Sequence, residues 1–346
     1  MIAAETLGGI LSSARELMQQ QRYGDAIACL SEYCEQQSDA HAEQLLALCR
    51  YQFYLEQPPR SAMGAWPVLA VDPSEVDPFS GVDGVPEISA SQLDVIKLAA
   101  GIRHHGALLV RGLLSDSKAL QLAGGVRQSL DACEAWHASG QGAFDSPWYS
   151  RLPLEDGCEI AQARPWIESA GGVWLADSPR MFRELAELFH GSGVVDLITK
   201  YFGERPMLSV GKSTLRCVPR TIREADWHQD GAFMGTDIRS VNVWLSLSHC
   251  GEDASGLEFL PRRMSQVLPT GSHGAHFGWS VGSGLVEEQG VATVSPVFAP
   301  GDALLFDHYF LHRTGIPAAI AKDRYAIESW FFAPSAYPAD QVPLWL

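Results

Sequence analysis

The residues with the most chemistry to offer lie in Asp226-Trp-His-Gln-Asp-Gly-Ala-Phe. His228 and Asp230 are two positions apart. On a strand, residues i and i+2 face the same way, so an imidazole and a carboxylate would point together. Those are two of the three ligands of a 2-His-1-carboxylate metal site. Alone, the spacing is cheap. The chain has 11 histidines, and roughly a one-in-twenty chance of Asp two residues on gives about one accidental match per two such chains. His41-Ala-Glu43 is such a near-match. It falls in a helical pattern, where i and i+2 do not share a face, and is set aside.

The downstream sequence raises the value of the first match. Gly301-Asp-Ala-Leu-Leu-Phe-Asp-His-Tyr-Phe-Leu-His-Arg-Thr-Gly reads as a Gly-Asp turn opening a buried strand, with a histidine at its far end. His312 is the third candidate ligand, and His308 is its rival. The Arg-Thr-Gly tail and the distance to Arg324 favour His312. Arg324 heads the last strand, sharing a face with Ala326, Glu328 and Trp330, while Tyr325, Ile327 and Phe331 take the other. A guanidinium at that depth needs an anionic partner. A dicarboxylate cosubstrate would supply one through a bidentate pair. Glu328 is the alternative partner, and would make Arg324 structural.

HxD, a distal His and an Arg about a dozen residues later resemble the Fe(II)/2-oxoglutarate-dependent dioxygenases, and within them the phytanoyl-CoA dioxygenase-like family. The strand Gly106 to Gly112, the form His228-Gln229-Asp230, Val241-Asn-Val-Trp-Leu-Ser-Leu, Ser255-Gly-Leu-Glu-Phe-Leu-Pro and the Gly301 to Gly315 block carry the resemblance, over about residues 89–334. It implies that His228, Asp230 and His312 bind Fe(II), and that Arg324 pairs with the distal carboxylate of 2-oxoglutarate. Thr314 matches a hydroxyl bonding that carboxylate, and Trp244 an aromatic beside the cosubstrate. Arg216 is the candidate for a basic residue on the strand before HxD. Related halogenases replace the metal-binding carboxylate with a small residue, so Asp230 implies hydroxylation or another oxidation. The implied reaction consumes O2 and 2-oxoglutarate and releases succinate and CO2. The alternatives are an iron oxygenase that does not use 2-oxoglutarate and a non-catalytic scaffold that keeps the fold.

The elements that must position these residues follow from periodicity. Residues 1–56 read as a helical unit, with Leu7, Ile10, Leu11, Ala14 and Leu17 at helical spacing, then Tyr23, Ala26, Ile27 and Leu30, then Ala42, Leu45, Leu46 and Cys49. A small cap packed on the main domain, left for oligomerisation or a protein partner, is expected. Residues 57–88 form a proline-broken strap in which Trp66, Val68, Leu69 and Phe79 would want burial. Residues 89–346 form the main domain. Helices come first, and strands dominate after Pro206 without βαβ alternation. That order predicts an antiparallel β core with flanking helices; the resemblance makes it a double-stranded β-helix, or jelly roll. Gly211-Lys-Ser lacks the upstream glycine of a phosphate loop, so nucleotide binding is discarded.

Composition narrows the function further. Lys plus Arg is 25 against 41 Asp plus Glu, a net charge of −16, which argues against nucleic acid and anionic membranes. The seven cysteines have irregular spacings and no CxxC, so a disulfide framework or zinc ribbon is not expected. With no signal peptide pattern and no membrane span, a cytoplasmic enzyme acting on a small molecule is expected. Residues 140–176 and 262–296 are the expected pocket walls, bearing Trp148, Tyr149, Arg151, Arg164, Trp166, Trp174, His276 and Trp279, with Arg239 close by.

Overall fold

The computed structural model describes residues 6–55, 77–140, 146–154, 163–336, 338 and 341–346. Trp66, Val68 and Leu69 of the strap lie outside the described residues. The centre of the fold is β10 (Arg324–Phe332), flanked along its length by β6 (Ser240–Ser246). Its other edge is shared by β4 (Met207–Ser209) and β5 (Thr214–Val218). Beyond β6 come β8 (Ala303–Phe306), β2 (Ala107–Arg111) and β1 (Glu87–Ser89); β3 (Gly172–Trp174) adds to β5, and β11 (Pro343–Trp345) to β4. A second, smaller sheet pairs β7 (Gly256–Phe259) with β9 (His312–Gly315). Isolated bridges His228–His312, Trp227–Val281 and Phe259–Val294 widen it.

The alternation in Val241-Asn-Val-Trp-Leu-Ser explains how one strand serves two cores. Val241, Val243 and Leu245 face outward with Leu305, Ile327 and Phe331. There they pack on α5 (Asp116–Ala138), α7 (Pro179–Gly191) and α8 (Val194–Phe202) through Val126, Leu185, Phe189 and Ile198. Trp244 faces inward with Leu304, Phe306, Ala326 and Trp330, meeting Leu257 and Phe259 of the small sheet. Helices, large sheet and small sheet therefore stack as three layers, the two sheets closing a jelly roll. The main departures from the sequence reading are at the ends of elements. The strap finishes as β1, parallel to β2, and both join the large sheet ahead of residue 206. The first strands after Pro206, β4 and β5, are separated by a turn over residues 210–213.

Gly301 shows why a glycine opens β8. Its φ is +91°, and a Cβ there would lie 2.2 Å from the Leu114 carbonyl oxygen. Asp302, buried, accepts from the Gly112 and Ala299 N–H groups and from Arg111. The β8–β2 corner is fixed by that carboxylate.

At the N-terminus, α1 (Leu7–Gln19), α2 (Tyr23–Gln36) and α3 (Ala40–Leu55) pack around Ala14, Ala26, Leu30, Leu46 and Cys49. They dock on the jelly roll through α3. Ala47 and Tyr51 enter the outer core. The Glu43 carboxylate, fully buried, binds both Arg180 and Arg183 of α7 at 3.0 Å, and Arg50 donates to the Trp345 carbonyl at 3.0 Å. Glu43→Ala leaves two guanidinium groups without their shared acceptor. It is expected to lower stability by about 2 kcal/mol in urea unfolding; an unchanged midpoint would show that the docking rests on apolar contact alone.

Candidate active site

His228 and His312 are an antiparallel bridge pair that exchanges both backbone hydrogen bonds, His228 N–H to His312 O at 3.0 Å and the reverse at 3.1 Å. Directly opposed residues put their side chains on one face, and the two imidazole centroids are 4.4 Å apart. Each Nδ1 faces a backbone carbonyl two residues back, Asp226 at 3.1 Å and Phe310 at 3.0 Å. A carbonyl can only accept, so Nδ1 carries the proton and Nε2 keeps its lone pair for a metal. Burial, then the nearby His312, pushes the His228 imidazolium down to about 3, which leaves the ring neutral.

Asp230 reaches the same point by a different route from the one read in the sequence. The strand geometry ends at His228, and Asp230 is αR, capping the short α9 (Gly231–Met234). The helical turn, not strand alternation, aims its carboxylate. One donor atom each from His228, Asp230 and His312 lies within 4.8 Å of the others. Asp230 Oδ2 is 3.8 Å from His312 Nε2, while Oδ1 is 2.6 Å from Lys212 Nζ. Burial raises the Asp230 carboxyl, but the Lys212 charge and the two histidines outweigh it and hold it at about 2. Two imidazoles and one carboxylate oxygen, converging with their other atoms already bonded, suit a divalent ion such as iron.

The route of the chain to His312 also differs from the expectation. β8 stays in the large sheet, and the chain crosses over residues 307–311 before His312 heads β9 in the small one. His308 lies in that crossing, with Nδ1 2.9 Å from Ser240 Oγ, and is not in the convergent group. Gln229, fully buried, locks the crossing to the HxD segment. Its amide donates to the Tyr309 and Gln266 carbonyls at 2.6 and 3.0 Å, and accepts from Leu268 N–H at 2.7 Å. Gly231 allows this approach, because a Cβ there would sit 2.7 Å from Val267 Cγ2. Neither Gln229 nor Lys212 was picked out from the sequence. The middle letter of HQD was the only sign of the first, and the second sat in a fragment rejected as a phosphate loop.

Arg324, only 2% exposed, projects from β10 into the interior between the sheets. One Nη donates to the Gly256 carbonyl of β7 at 2.7 Å, and the guanidinium lies 5.6 Å from the Trp244 ring centroid. Among the described residues it forms no ion pair, Glu328 included, and its Nε has no hydrogen-bond partner. Burial lowers its pKa to about 10, with the Arg216 charge adding to the effect. Arg216 is in register with Ala326 and so shares the inner face. Trp244 Nε1 and Ser255 Oγ are buried without partners as well. Gly256 is paired with Gly315, which brings Arg324 beside the end of β9, where Thr314 shares the face of His312. Buried donors left without acceptors around a desolvated cation are a costly arrangement unless an anion meets them.

Most of the polar residues expected in the pocket walls serve structure instead. Arg164 binds buried Asp177 at 2.7 Å and lies over Trp174. Arg151 and Tyr149 both bind Glu168. Trp148 sits under Arg180, and Arg239 packs over Phe202. Cys133, His137 and Glu168 form a second group of ligand-type side chains. There the carboxylate is already taken by Tyr149, Arg151 and His137, and burial pushes the Cys133 thiol up to about 12.

The family model of phytanoyl-CoA dioxygenase (PhyH) matches residues 102–316, a span that contains the whole histidine–aspartate constellation. The chain belongs to that family. It is an iron- and 2-oxoglutarate-dependent oxygenase. No curated protein sequence matches it. Solved structures similar to it include the epimerase SnoN in complex with Fe3+, alpha ketoglutarate and nogalamycin RO (16% identity, 71% of this chain and 86% of that one, TM-score 0.46). EvdO2 from Micromonospora carbonacea var. aurantiaca complexed with 2-oxoglutarate is similar at 17% identity, covering 69% and 91%, TM-score 0.46. EctD from S. alaskensis in its apoform is similar at 15% identity, covering 80% and 82%, TM-score 0.46. No helix among the described residues is long and apolar enough to cross a membrane.

Gln229→Leu keeps the volume and strands three buried backbone groups. It is expected to cost about 2–5 kcal/mol in urea unfolding. Anaerobic Fe(II) titration of the folded variant is expected to show affinity lower by about 10- to 100-fold, as for other residues that orient ligands. Parental values in both assays would remove Gln229 from the site.

Proposed function

We propose that His228, Asp230 and His312 hold the ferrous ion and that Arg324, Thr314 and Trp244 hold 2-oxoglutarate. The reaction is then the O2-dependent oxidation, most simply the hydroxylation, of a C–H bond in a small molecule, with release of succinate and CO2. The observation that carries this reading is the buried, uncompensated guanidinium of Arg324 in the same interior as the convergent triad. Iron bound by the triad supplies the O2-dependent oxidising chemistry.

The chain's own residues supply the rest. The Nδ1 protons of His228 and His312, held on backbone carbonyls, keep both Nε2 lone pairs aimed at one point. Lys212 takes one Asp230 oxygen and leaves the other, on the side of His312, for the metal. Arg324 offers a planar fork to the distal carboxylate of the cosubstrate, and the Thr314 hydroxyl adds a second donor. Arg216, on the same inner face, adds positive charge where a dianion must be desolvated. Trp244 packs under the guanidinium and excludes water from the pair.

Asp230→Ala is expected to abolish 2-oxoglutarate-dependent succinate formation while the fold persists. Arg324→Ala is expected to weaken 2-oxoglutarate binding by about 2–5 kcal/mol, and Thr314→Val by about 1–3 kcal/mol. Arg324→Lys keeps the charge and loses the fork, so a marked loss is expected there too. Calorimetric titration of each variant, with iron occupancy assayed separately, reads these values. Unchanged 2-oxoglutarate affinity in Arg324→Ala would make the arginine structural.

A further inference from the structure

Arg324 is not the only charge that the large sheet turns inward. Leu215 of β5 and Ile327 of β10 point out to the helices, so Arg216 and Glu328, one residue further along each strand, point between the sheets. Glu328 is opposite Thr214 and Arg216 is opposite Ala326, which makes the two charged residues diagonal neighbours across the β5–β10 pair. Such positions lie about 7–8 Å apart, within reach of long side chains. Among the described residues, neither has an ion pair or a hydrogen bond, with the other or with any third group.

Both are only half-buried, while Thr214, Ala326 and Trp330 around them are at most 2% exposed. β10 has a strand on either edge and helices behind it, so the opening that Glu328 reaches is the space between the sheets. The triad faces the same space. Two residues beyond Glu328 on its face, the Trp330 ring meets Phe306 at 5.8 Å, and Phe306 meets His312 at 4.9 Å. Two residues before Thr214, Lys212 reaches Asp230 at 2.6 Å.

The other interior charges are already committed. Lys212 holds one oxygen of Asp230, and the second oxygen is on the side of His312, where the metal would sit. On the oxygenase reading above, Arg324 takes the distal carboxylate of 2-oxoglutarate. One cation and one anion, Arg216 and Glu328, are left without counter-charges in a partly desolvated space, where each costs free energy until a partner arrives.

Resting on that reading, we infer that Arg216 and Glu328 anchor the substrate, and that the substrate is a zwitterion with an α-amino acid head, its carboxylate on Arg216 and its ammonium on Glu328. Such a head carries both charges on one carbon and bridges two side chains that do not pair directly. The guanidinium fork suits the carboxylate, and the Glu328 oxygens accept from the ammonium. A simple acid leaves Glu328 unmet, and a simple amine leaves Arg216 unmet. A neutral polyol would hydrogen-bond to both and compensate neither charge. A few convergent polar groups in an interior space are what fix a ligand's orientation.

The test uses three compounds with a matched apolar tail: L-norleucine, hexanoate, which lacks the ammonium, and pentylamine, which lacks the carboxylate. Each is titrated into the anaerobic Fe(II) complex of the full chain at saturating 2-oxoglutarate, reading the shift of its visible charge-transfer band. Each is also titrated by calorimetry into the metal-free protein. Norleucine is expected to bind at least roughly tenfold more tightly than either truncated analogue. Glu328→Gln keeps the volume and removes the charge; it is expected to weaken norleucine at least roughly tenfold without weakening hexanoate. Arg216→Met is expected to weaken norleucine by a similar factor without weakening pentylamine. A smaller difference in any of these comparisons overturns the inference. Hexanoate binding to Glu328→Gln as tightly as norleucine binds the parent also overturns it, because Glu328 would then merely mask Arg216. A charge-transfer band that never forms counts against the oxygenase assignment, and calorimetry on the metal-free protein then still decides the anchor.

Discussion

The active-site interior depends on one backbone pair. His228 and His312, distant in sequence, exchange both of their main-chain hydrogen bonds across the small sheet. That exchange fixes the separation and common direction of the two imidazoles before any side-chain interaction is counted. The metal geometry is thus a property of sheet register. A one-residue slip of either segment would leave the two rings on opposite faces of the sheet. The surrounding structure resists such a slip: Gln229 bolts the HxD segment to the crossing that leads into β9, and β7 pairs with β9 through Gly256 to Phe259.

The second constraint is a buried charge that meets no counter-ion among the described residues. Desolvating a guanidinium is expensive, and β10 carries Arg324 into the interior with one hydrogen bond to a backbone carbonyl. A core selected only for stability would do better with an apolar residue there. The cost is consistent with a site that is complete only when a carboxylate enters. It also divides labour between the sheets. The small sheet contributes the histidines, which fix direction, and the large sheet contributes Arg324 and Arg216, which fix charge.

Much of this was legible in the sequence, for definable reasons. Strand alternation in Arg324 to Phe332 put Arg324 on one face with Glu328, because the inner face of this strand carries polar groups while the outer face packs on helices. The Gly-Asp corner was readable because the left-handed φ of Gly301 and the carboxylate of Asp302 are local requirements. What escaped was non-local. Arg151 and Arg164 looked like pocket residues because their partners, Glu168 and Asp177, have no spacing signature relative to them. Lys212 meets Asp230 through the turn between β4 and β5, a contact with no spacing signature in the sequence. Asp230 was found by an argument about strands that its own backbone does not obey.

That last case carries a physical lesson about the motif. If His228 and Asp230 lay on one regular strand, both side chains would stand roughly perpendicular to the sheet, side by side and two residues apart. Ending the strand at His228 and turning Asp230 into α9 swings the carboxylate back towards His312. The same turn delivers Phe233 to the rim, where its ring receives the Lys212 ammonium at 4.6 Å. One short helix therefore follows the carboxylate and carries the ring that meets the Lys212 ammonium. The direction of Asp230 and the place of Phe233 are coupled through four residues of backbone. The loop over 262–296 is tied to the same segment, through Gln266 and Leu268 on Gln229 and through Val281 on Trp227, so a change in that loop reaches the HxD residues as directly as a change in α9 does.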